Sequence, residues 1–249
     1  MLARPLLIAL LLPLTIGVSA CGDAAASRPE PAAQHSTPMP AGHAMPVSAH
    51  VAARSGLPGM PAPLEANDAY AADRPNQLSP KVVHDRSLIY VPNSESNTVQ
   101  EIDPRTYRIV RNLRVGALPQ HVVPSWDLRT LWVTNDIGNS LTAIDPRTGK
   151  VGRTVAVQDP YNMYFTPDGK HAIVVAEAFQ RLDFRDPHTM KLQRAVHVDC
   201  KGSDHIDFTA DGRRLLASCE FSGKLAVVDV ATERLLGTIS LPGVKGTSM

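Results

Sequence analysis

The chain has 249 residues and a formal net charge of +1, from 25 basic and 24 acidic side chains. This balance is not typical of proteins that bind the phosphate backbone of nucleic acids, so we expect no nucleic-acid partner. Hydrophobic residues make up 43% of the chain, which is enough for a packed core and excludes a wholly disordered protein.

Residues 1–21 are predicted to be a targeting segment. An apolar run from Leu6 to Leu14 follows the positive charge of Arg4 and precedes Val18-Ser19-Ala20-Cys21. Small residues before a cysteine resemble the bacterial lipobox, which implies cleavage before Cys21 and lipidation of that residue. A plain secretory signal is the alternative; a membrane-spanning anchor is disfavoured because the apolar run is short and contains a proline. We therefore expect an exported lipoprotein, anchored through Cys21 to the outer face of the cytoplasmic membrane or to the cell envelope.

Residues 22–80 are rich in Ala, Pro, Ser and Gly and show no strand or helix periodicity, so they are predicted to form a disordered tether. Methionines and histidines are scattered through this tether: His35, Met39, His43, Met45, His50 and Met60. Thioether and imidazole groups suit copper, especially Cu(I). We favour the alternative that these residues are incidental, because flexible ligands without a preformed site bind weakly.

Residues 81–249 contain a repeat of short strands. Each unit ends in a turn that begins with an aspartate, and Asp103, Asp145, Asp186 and Asp229 follow one another at intervals of 42, 41 and 43 residues. A period in the low forties built only of strands is typical of β-propeller blades, so we predict an all-β fold of four-stranded antiparallel blades. Because these aspartates recur in every unit, they are interpreted as turn formers and not as catalytic groups.

The units resemble the YVTN-type β-propeller repeat. The namesake tetrapeptide appears as Trp132-Val133-Thr134-Asn135 and, less closely, as Tyr90-Val91-Pro92-Asn93. Members of that family usually close at seven blades, so the resemblance implies a truncated chain whose roughly four blades form an open arc. The innermost strand of the first blade is weak or missing, and Lys81–His84 is its only candidate.

Three polar residues are predicted at the mouth of the central channel. His121, Asn162 and His205 lie at the start of the innermost strand of their units, and each precedes by six residues the aspartate of the turn that follows that strand (Asp127, Asp168 and Asp211). One hypothesis is that His121 and His205 bind a metal such as copper, a haem or an anionic ligand. The alternative is that these residues hydrogen-bond the neighbouring loop backbone and hold the blades in register. Glu177 and Glu220 are expected on the same face.

Two cysteines remain once Cys21 is assigned to lipidation. Cys200 and Cys219 are predicted on one face in adjacent blades, as a disulfide in an oxidising compartment or as two buried free thiols.

Three functions follow from these features. The preferred one is a non-catalytic, membrane-tethered scaffold that binds a protein or another cell-envelope ligand, because no catalytic motif of the HExxH, CxxC or GxSxG type occurs. A metal- or haem-linked redox protein is the first alternative, since propellers similar to this one include haem-binding domains. A lactonase-like hydrolase is the second, with Glu177 or Glu220 as its general base.

Overall fold

The computed structural model describes Glu65, Ala71, Arg74, Pro75 and residues 77–244. The expected signal segment with Cys21, and the stretch with the tether methionines and histidines, lie outside the described residues. By its contacts the chain divides into residues 1–50 and 51–249, and all described residues belong to the second unit. No described helix is both long and apolar enough to cross a lipid bilayer.

The described residues form strands and turns. The strands are β1 (Ile89–Asn93), β2 (Thr98–Ile102), β3 (Ile109–Arg114), β4 (Pro119–Pro124), β5 (Leu131–Asn135), β6 (Ser140–Ile144), β7 (Val151–Ala156), β8 (Pro160–Phe165), β9 (Ala172–Ala176), β10 (Arg181–Arg185), β11 (Leu192–His197), β12 (Ser203–Phe208), β13 (Arg214–Cys219), β14 (Lys224–Asp229) and β15 (Arg234–Ser240).

Consecutive strands pair antiparallel into separate sheets. Blade 1 has the order β1-β2-β3, whereas blade 2 (β4 to β7), blade 3 (β8 to β11) and blade 4 (β12 to β15) each have four strands. The predicted all-β fold of four-stranded antiparallel blades is therefore confirmed. Four blades are present in the described part of the chain.

The innermost strand of blade 1, expected to be weak or missing, is absent from the described residues, because Lys81–His84 forms turns and pairs with no strand. The segment instead lies against the turns of blade 2. The Lys81 ammonium group is 5.3 Å from the centre of the Trp126 ring, and the Arg86 amide donates a hydrogen bond to the Pro146 carbonyl. Polar contacts of this kind fix a connecting segment without using it as a strand.

The innermost strands of the other blades begin two residues earlier than the sequence suggests, at Pro119, Pro160 and Ser203. In each blade a shift in strand pairing separates this first residue from the regular part of the strand. A bulge of this kind re-aims the side chains beside it, and the sequence pattern does not reveal where it lies.

Left-handed backbone recurs at four equivalent places in the blades. The residues directly before β2, β6, β10 and β14 are Asn97, Asn139, Gln180 and Gly223, and the turns before β3, β7, β11 and β15 contain Tyr107, Gly149, Met190 and Glu233. The residues directly before β4, β8 and β12 are Leu118, Asp159 and Gly202. The turns before β5, β9 and β13 contain Leu128, Gly169 and Gly212. Residues that favour positive φ, chiefly Gly and Asn, occupy only some of these places. The shared loop geometry of the repeat therefore imposes this conformation on side chains such as Leu118 and Met190.

Buried apolar side chains form one layer between each pair of neighbouring blades. Val99 meets Val133 between blades 1 and 2, Trp132 meets Met163 between blades 2 and 3, and a layer around Phe184 joins blades 3 and 4. Full burial of a side chain such as Phe184 contributes about 1.5–3 kcal/mol. Each blade thus depends on its neighbour for stability.

Two carboxylates are fully buried beneath arginine pairs. Glu101 on β2 accepts hydrogen bonds from Arg86 at 3.0 Å and from Arg111 at 2.6 Å. Asp183 on β10 accepts hydrogen bonds from Arg181 at 2.8 Å and from Arg185 at 2.7 Å. Buried charges require such partners, because an uncompensated ion loses its hydration without replacement.

Candidate functional site

The innermost strands of blades 2, 3 and 4 bring three rings together. The centre of the His121 ring is 5.4 Å from that of Tyr161 and 5.7 Å from that of His205, and Tyr161 and His205 are 6.3 Å apart. The rings meet edge to face, at interplanar angles from 68° to 85°. We call these three residues and the carboxylates around them, Asp136, Glu177, Asp204 and Glu220, the axial surface.

The hydrogen bonds of His121 fix its protonation. Its Nδ1 lies 2.9 Å from the carbonyl oxygen of Tyr161, and because that oxygen only accepts, Nδ1 must carry the proton. Nε2 therefore keeps its lone pair. Burial lowers the pKa of His121 below its ordinary value, and nearby His205 lowers it further, so the ring is neutral at pH 7.

The Thr134 hydroxyl supports the same loop. It accepts a hydrogen bond from the His121 amide at 3.0 Å and donates one to the Tyr161 carbonyl at 3.0 Å. The start of β8 is thereby held against blade 2. The backbone-bonding role that the sequence analysis left open for His121 is present, and it leaves Nε2 available for a ligand.

His205 has the opposite tautomer. Asn162 is 4% exposed, and its oxygen accepts from the Met163 amide, which directs its NH2 group toward the Tyr164 hydroxyl and His205 Nδ1. The Tyr164 hydroxyl lies 3.2 Å from the same nitrogen. Both neighbours supply hydrogens, so Nδ1 accepts and Nε2 carries the proton. Asn162 therefore orients His205.

The two glutamates predicted on this face are placed there. Glu177 and Glu220 directly follow β9 and β13, at positions equivalent to Asp136 after β5. The pKa of Glu177 is raised by burial and by repulsion from Asp136, Asp159 and other carboxylates of the axial surface. These acidic groups therefore lie close enough to repel one another.

A pair of carboxyl groups, Asp136 and Asp159, lies at the edge of this surface. Burial and a hydrogen bond with Asp136 raise the pKa of Asp159 to about 6. The Asp159 carboxylate also accepts hydrogen bonds from the amides of Ala178 and Phe179 in the next blade. Two carboxyl groups that share a proton cannot both ionise without a cost in free energy.

Asp204 is the least exposed acid of the axial surface, at 3%. Its Oδ1 accepts hydrogen bonds from the Ser218 hydroxyl and the His205 amide. Burial of the Tyr161 ring raises its pKa, and the charges of Asp204, Glu177 and Glu220 raise it further. Asp204 thus belongs electrostatically to the three-ring cluster.

A disulfide joins Cys200 and Cys219 next to this surface. It links the loop before β12 to the last residue of β13, across a sequence separation of 19 residues. Both cysteines are buried. The bond therefore restrains the loop that leads into β12, the strand that carries Asp204 and His205.

The donor set of the axial surface fits a single imidazole ligand better than a metal cage. Among the residues that the structure describes, no group of three or more His, Cys, Asp or Glu side chains is arranged to hold a metal ion. His121 Nε2, with Nδ1 fixed by a carbonyl, has the arrangement of a histidine that binds one open position of a haem iron.

A cleft of about 610 Å³ lies on the opposite face of the blades, lined by Lys81, Asp127, Arg129, Asp145 and other turn residues. Asp127 and Asp145 use an oxygen to accept hydrogen bonds from turn amides. Acidic and basic side chains both line this cleft. The axial surface, in contrast, brings together two histidines, a tyrosine and four acidic side chains. We therefore place the candidate site at the axial surface.

Sequence reasoning found His121, Asn162 and His205 but missed Tyr161, Asp136 and Asp204 as site residues. Tyr161 and Asp204 occupy equivalent positions one residue before Asn162 and His205, within the bulge at the start of the innermost strand. Aligning the residues one position before His121, Asn162 and His205, and not only those three residues, would have identified Tyr161 and Asp204.

Comparison with solved structures shows the fold. Hydrazine synthase of Kuenenia stuttgartiensis matches with a TM-score of 0.56 and 22% identity over 64% of this chain and 47% of that one. A dihydro-heme d1 dehydrogenase, NirN, matches at 0.51 and 18% over 63% and 35%. Virginiamycin B lyase of Staphylococcus aureus matches at 0.52 and 14% over 63% and 53%. The chain thus spans about half the length of these proteins or less.

No curated protein matches the sequence. A family model described as a YNCE-like beta-propeller matches residues 63–192, which is just over half of the chain and includes blades 1 and 2 and most of blade 3. Together with the antiparallel blades, this match shows that the chain belongs to the YNCE-like β-propeller family.

Proposed function

We propose that this protein is an exported, membrane-tethered β-propeller of the YVTN type that binds a ligand at its axial surface. The observation that carries the proposal is the meeting of His121, Tyr161 and His205, three rings contributed by three separate blades. Rings with directed polar atoms provide both contact area and specificity for a ligand.

The hydrogen bonds beneath the rings support binding as the role of this surface. His121 and His205 each use Nδ1 within the protein, which fixes the ring orientation and leaves one nitrogen of opposite character on each. His121 Nε2 accepts hydrogen bonds and His205 Nε2 donates them. A preorganised acceptor and donor reduce the entropy lost when a ligand binds.

A thermal-shift screen tests the binding function. A ligand present at one hundred times its Kd should stabilise the protein by about 2.7 kcal/mol. That stabilisation should disappear in His121→Ala but persist in His197→Ala, whose ring is exposed on the outer strand β11. Compounds that stabilise both variants equally, or a broad screen without any stabilising compound, would contradict the proposal.

Export and lipid anchoring are supported by the lipobox-like sequence before Cys21 and by the Cys200–Cys219 disulfide. Disulfides persist mainly in oxidising compartments outside the cytoplasm. In a bacterial host, the wild type should partition with membranes and incorporate labelled fatty acid. The variant Cys21→Ala should do neither. Equal labelling of the two proteins would exclude lipidation of this cysteine.

A haem-linked redox role is the second candidate. Two structural neighbours are hydrazine synthase and a dihydro-heme d1 dehydrogenase, and the name of the second refers to a haem. A bound haem iron would supply one-electron chemistry, while His121 would position it through Nε2. Saturable, stoichiometric haemin uptake with a shifted Soret band should be lost in His121→Ala/His205→Ala. Uptake that is unchanged in this double variant would exclude the pair as the haem site.

A further inference from the structure

Buried carboxylates in this protein follow a pattern with one exception. The residues that the structure describes include three acidic side chains that are at least 97% buried, namely Glu101, Asp183 and Asp204. The first two each contact two arginines within 3.0 Å. Asp204 forms no ion pair within the same described part of the chain. Its Oδ2 has no hydrogen-bond partner there either, since its two contacts are both made by Oδ1.

Asp204, the buried carboxylate without an ion pair among the described residues, lies at the axial surface. Asp204 directly precedes His205. Burial raises the pKa of Tyr161 and of Glu177, and the Asp204 carboxylate is among the charges that raise both further. Tyr161 and Glu177 are surrounded by further acidic groups, Asp136 and Glu220, that act in the same direction. The rings of the site therefore stand in a field of negative charge.

Cations on this side of the blades are bound to other groups or are at least partly accessible to solvent. Arg181 is bound to Asp183 and to Gln158. Lys201 is exposed in the loop before β12, and Lys224 begins β14. Neither lysine makes an ion pair with Asp204 within 4.0 Å. The described residues thus supply no partner for the Asp204 charge.

We propose that the ligand of the axial surface is a small organic ammonium ion, whose positive charge lies between Asp204 and the rings of His121, Tyr161 and His205. The inference rests on the proposed binding function and specifies its ligand class. Faces of Tyr and His rings attract cations. Asp204 Oδ2 and His121 Nε2 provide acceptors for the N–H groups of a protonated amine.

Matched ligands test the charge requirement with the full chain at pH 7.5. Benzylammonium, benzyl alcohol and benzoate share one ring and differ in charge, and their affinities are measured by calorimetry. We expect benzylammonium to bind at least tenfold more tightly than the other two. Binding of benzyl alcohol or benzoate with equal affinity would overturn the ammonium inference while leaving a ligand-binding axial surface intact.

Matched variants test the role of Asp204. Asp204→Asn keeps an acceptor for the Ser218 hydroxyl but removes the charge, and it should weaken benzylammonium binding at least tenfold. Asp207→Asn removes an exposed charge from the same strand and should have no effect. Unchanged affinity in Asp204→Asn overturns the proposal. So does the absence of benzylammonium binding when the thermal-shift screen finds other ligands that depend on His121.

Discussion

The buried glutamate between blades 1 and 2 offers a quantitative test of how the blades are held together. Glu101 is 0% exposed, and Arg111 contacts both of its carboxylate oxygens, at 2.6 and 2.8 Å. The Arg111 side chain also donates a hydrogen bond to the Thr148 carbonyl in the outer turn of blade 2. Replacing Glu101 with Gln removes the charge and leaves two guanidinium groups without their shared partner.

The magnitude follows from burial. Breaking a fully buried ion pair costs about 3–5 kcal/mol, because one charge is left without compensation. The side chains of Arg86 and Arg111 retain 34% and 37% exposure, so water rehydrates part of the released charge. We therefore expect Glu101→Gln to lower the free energy of unfolding by about 2–3 kcal/mol, or the Tm by about 5–10 °C.

Urea and thermal unfolding followed by circular dichroism measure this loss. Arg105→Ala is the matched control, because that side chain is 88% exposed beside Asp103 and should change stability by less than about 0.5 kcal/mol. A double-mutant cycle of Glu101→Gln with Arg111→Gln should give a coupling energy of at least about 1 kcal/mol. If Glu101→Gln matches the wild type within about 0.5 kcal/mol, the inter-blade ion cluster contributes nothing and the reasoning is refuted.

Three further changes have defined outcomes. Removing the disulfide with Cys200→Ser/Cys219→Ser should lower the free energy of unfolding in urea by about 3 kcal/mol, because the bond joins residues separated by 19 positions in the sequence. A loss under about 1 kcal/mol would mean that other contacts restrain the loop before β12. Burial and Asp136 raise the pKa of Asp159 to about 6, so the folded state binds this proton more tightly than the unfolded chain does. The free energy of unfolding should therefore fall by about 1 kcal/mol as the pH rises from about 4 to 6. Asp159→Asn should flatten that part of the pH profile of stability, and an unchanged profile would contradict the raised pKa. Gly149→Ala should destabilise by at least about 1 kcal/mol in thermal unfolding, since φ is +64° there and a Cβ would overlap arginine side chains; a neutral effect would show that the turn relaxes freely.

The architecture was predictable because its signal is periodic. Short strands and turns beginning with Asp recur at almost constant intervals, and the predicted plan of four antiparallel strands is present in blades 2 to 4. The innermost strand of blade 1 could not be predicted with the same certainty, because the repeat pattern is weak before β1. Lys81–His84 has strand-forming valines, but contacts with Trp126 and the turns of blade 2 hold this segment outside the sheet.

The candidate site was predictable only in part. His121 and His205 were found because repeat alignment places them at one position, and the structure brings their rings within 5.7 Å. Tyr161 and the pairing of Asp204 with Ser218 depend on a bulge and on contacts between distant segments. Short-range patterns carry no information on such contacts.

The most direct test of the axial surface is a long-range 1H–15N correlation spectrum of the histidine side chains across a pH series. Contact among three blades predicts that His121 is neutral at pH 7 with its proton on Nδ1, and that neutral His205 carries its proton on Nε2. The pKa of His121 should lie below 6.5. A His121 ring that titrates near 6.5 with mixed tautomers would contradict the account, because it would show a ring that is free in solvent and not assembled into the site.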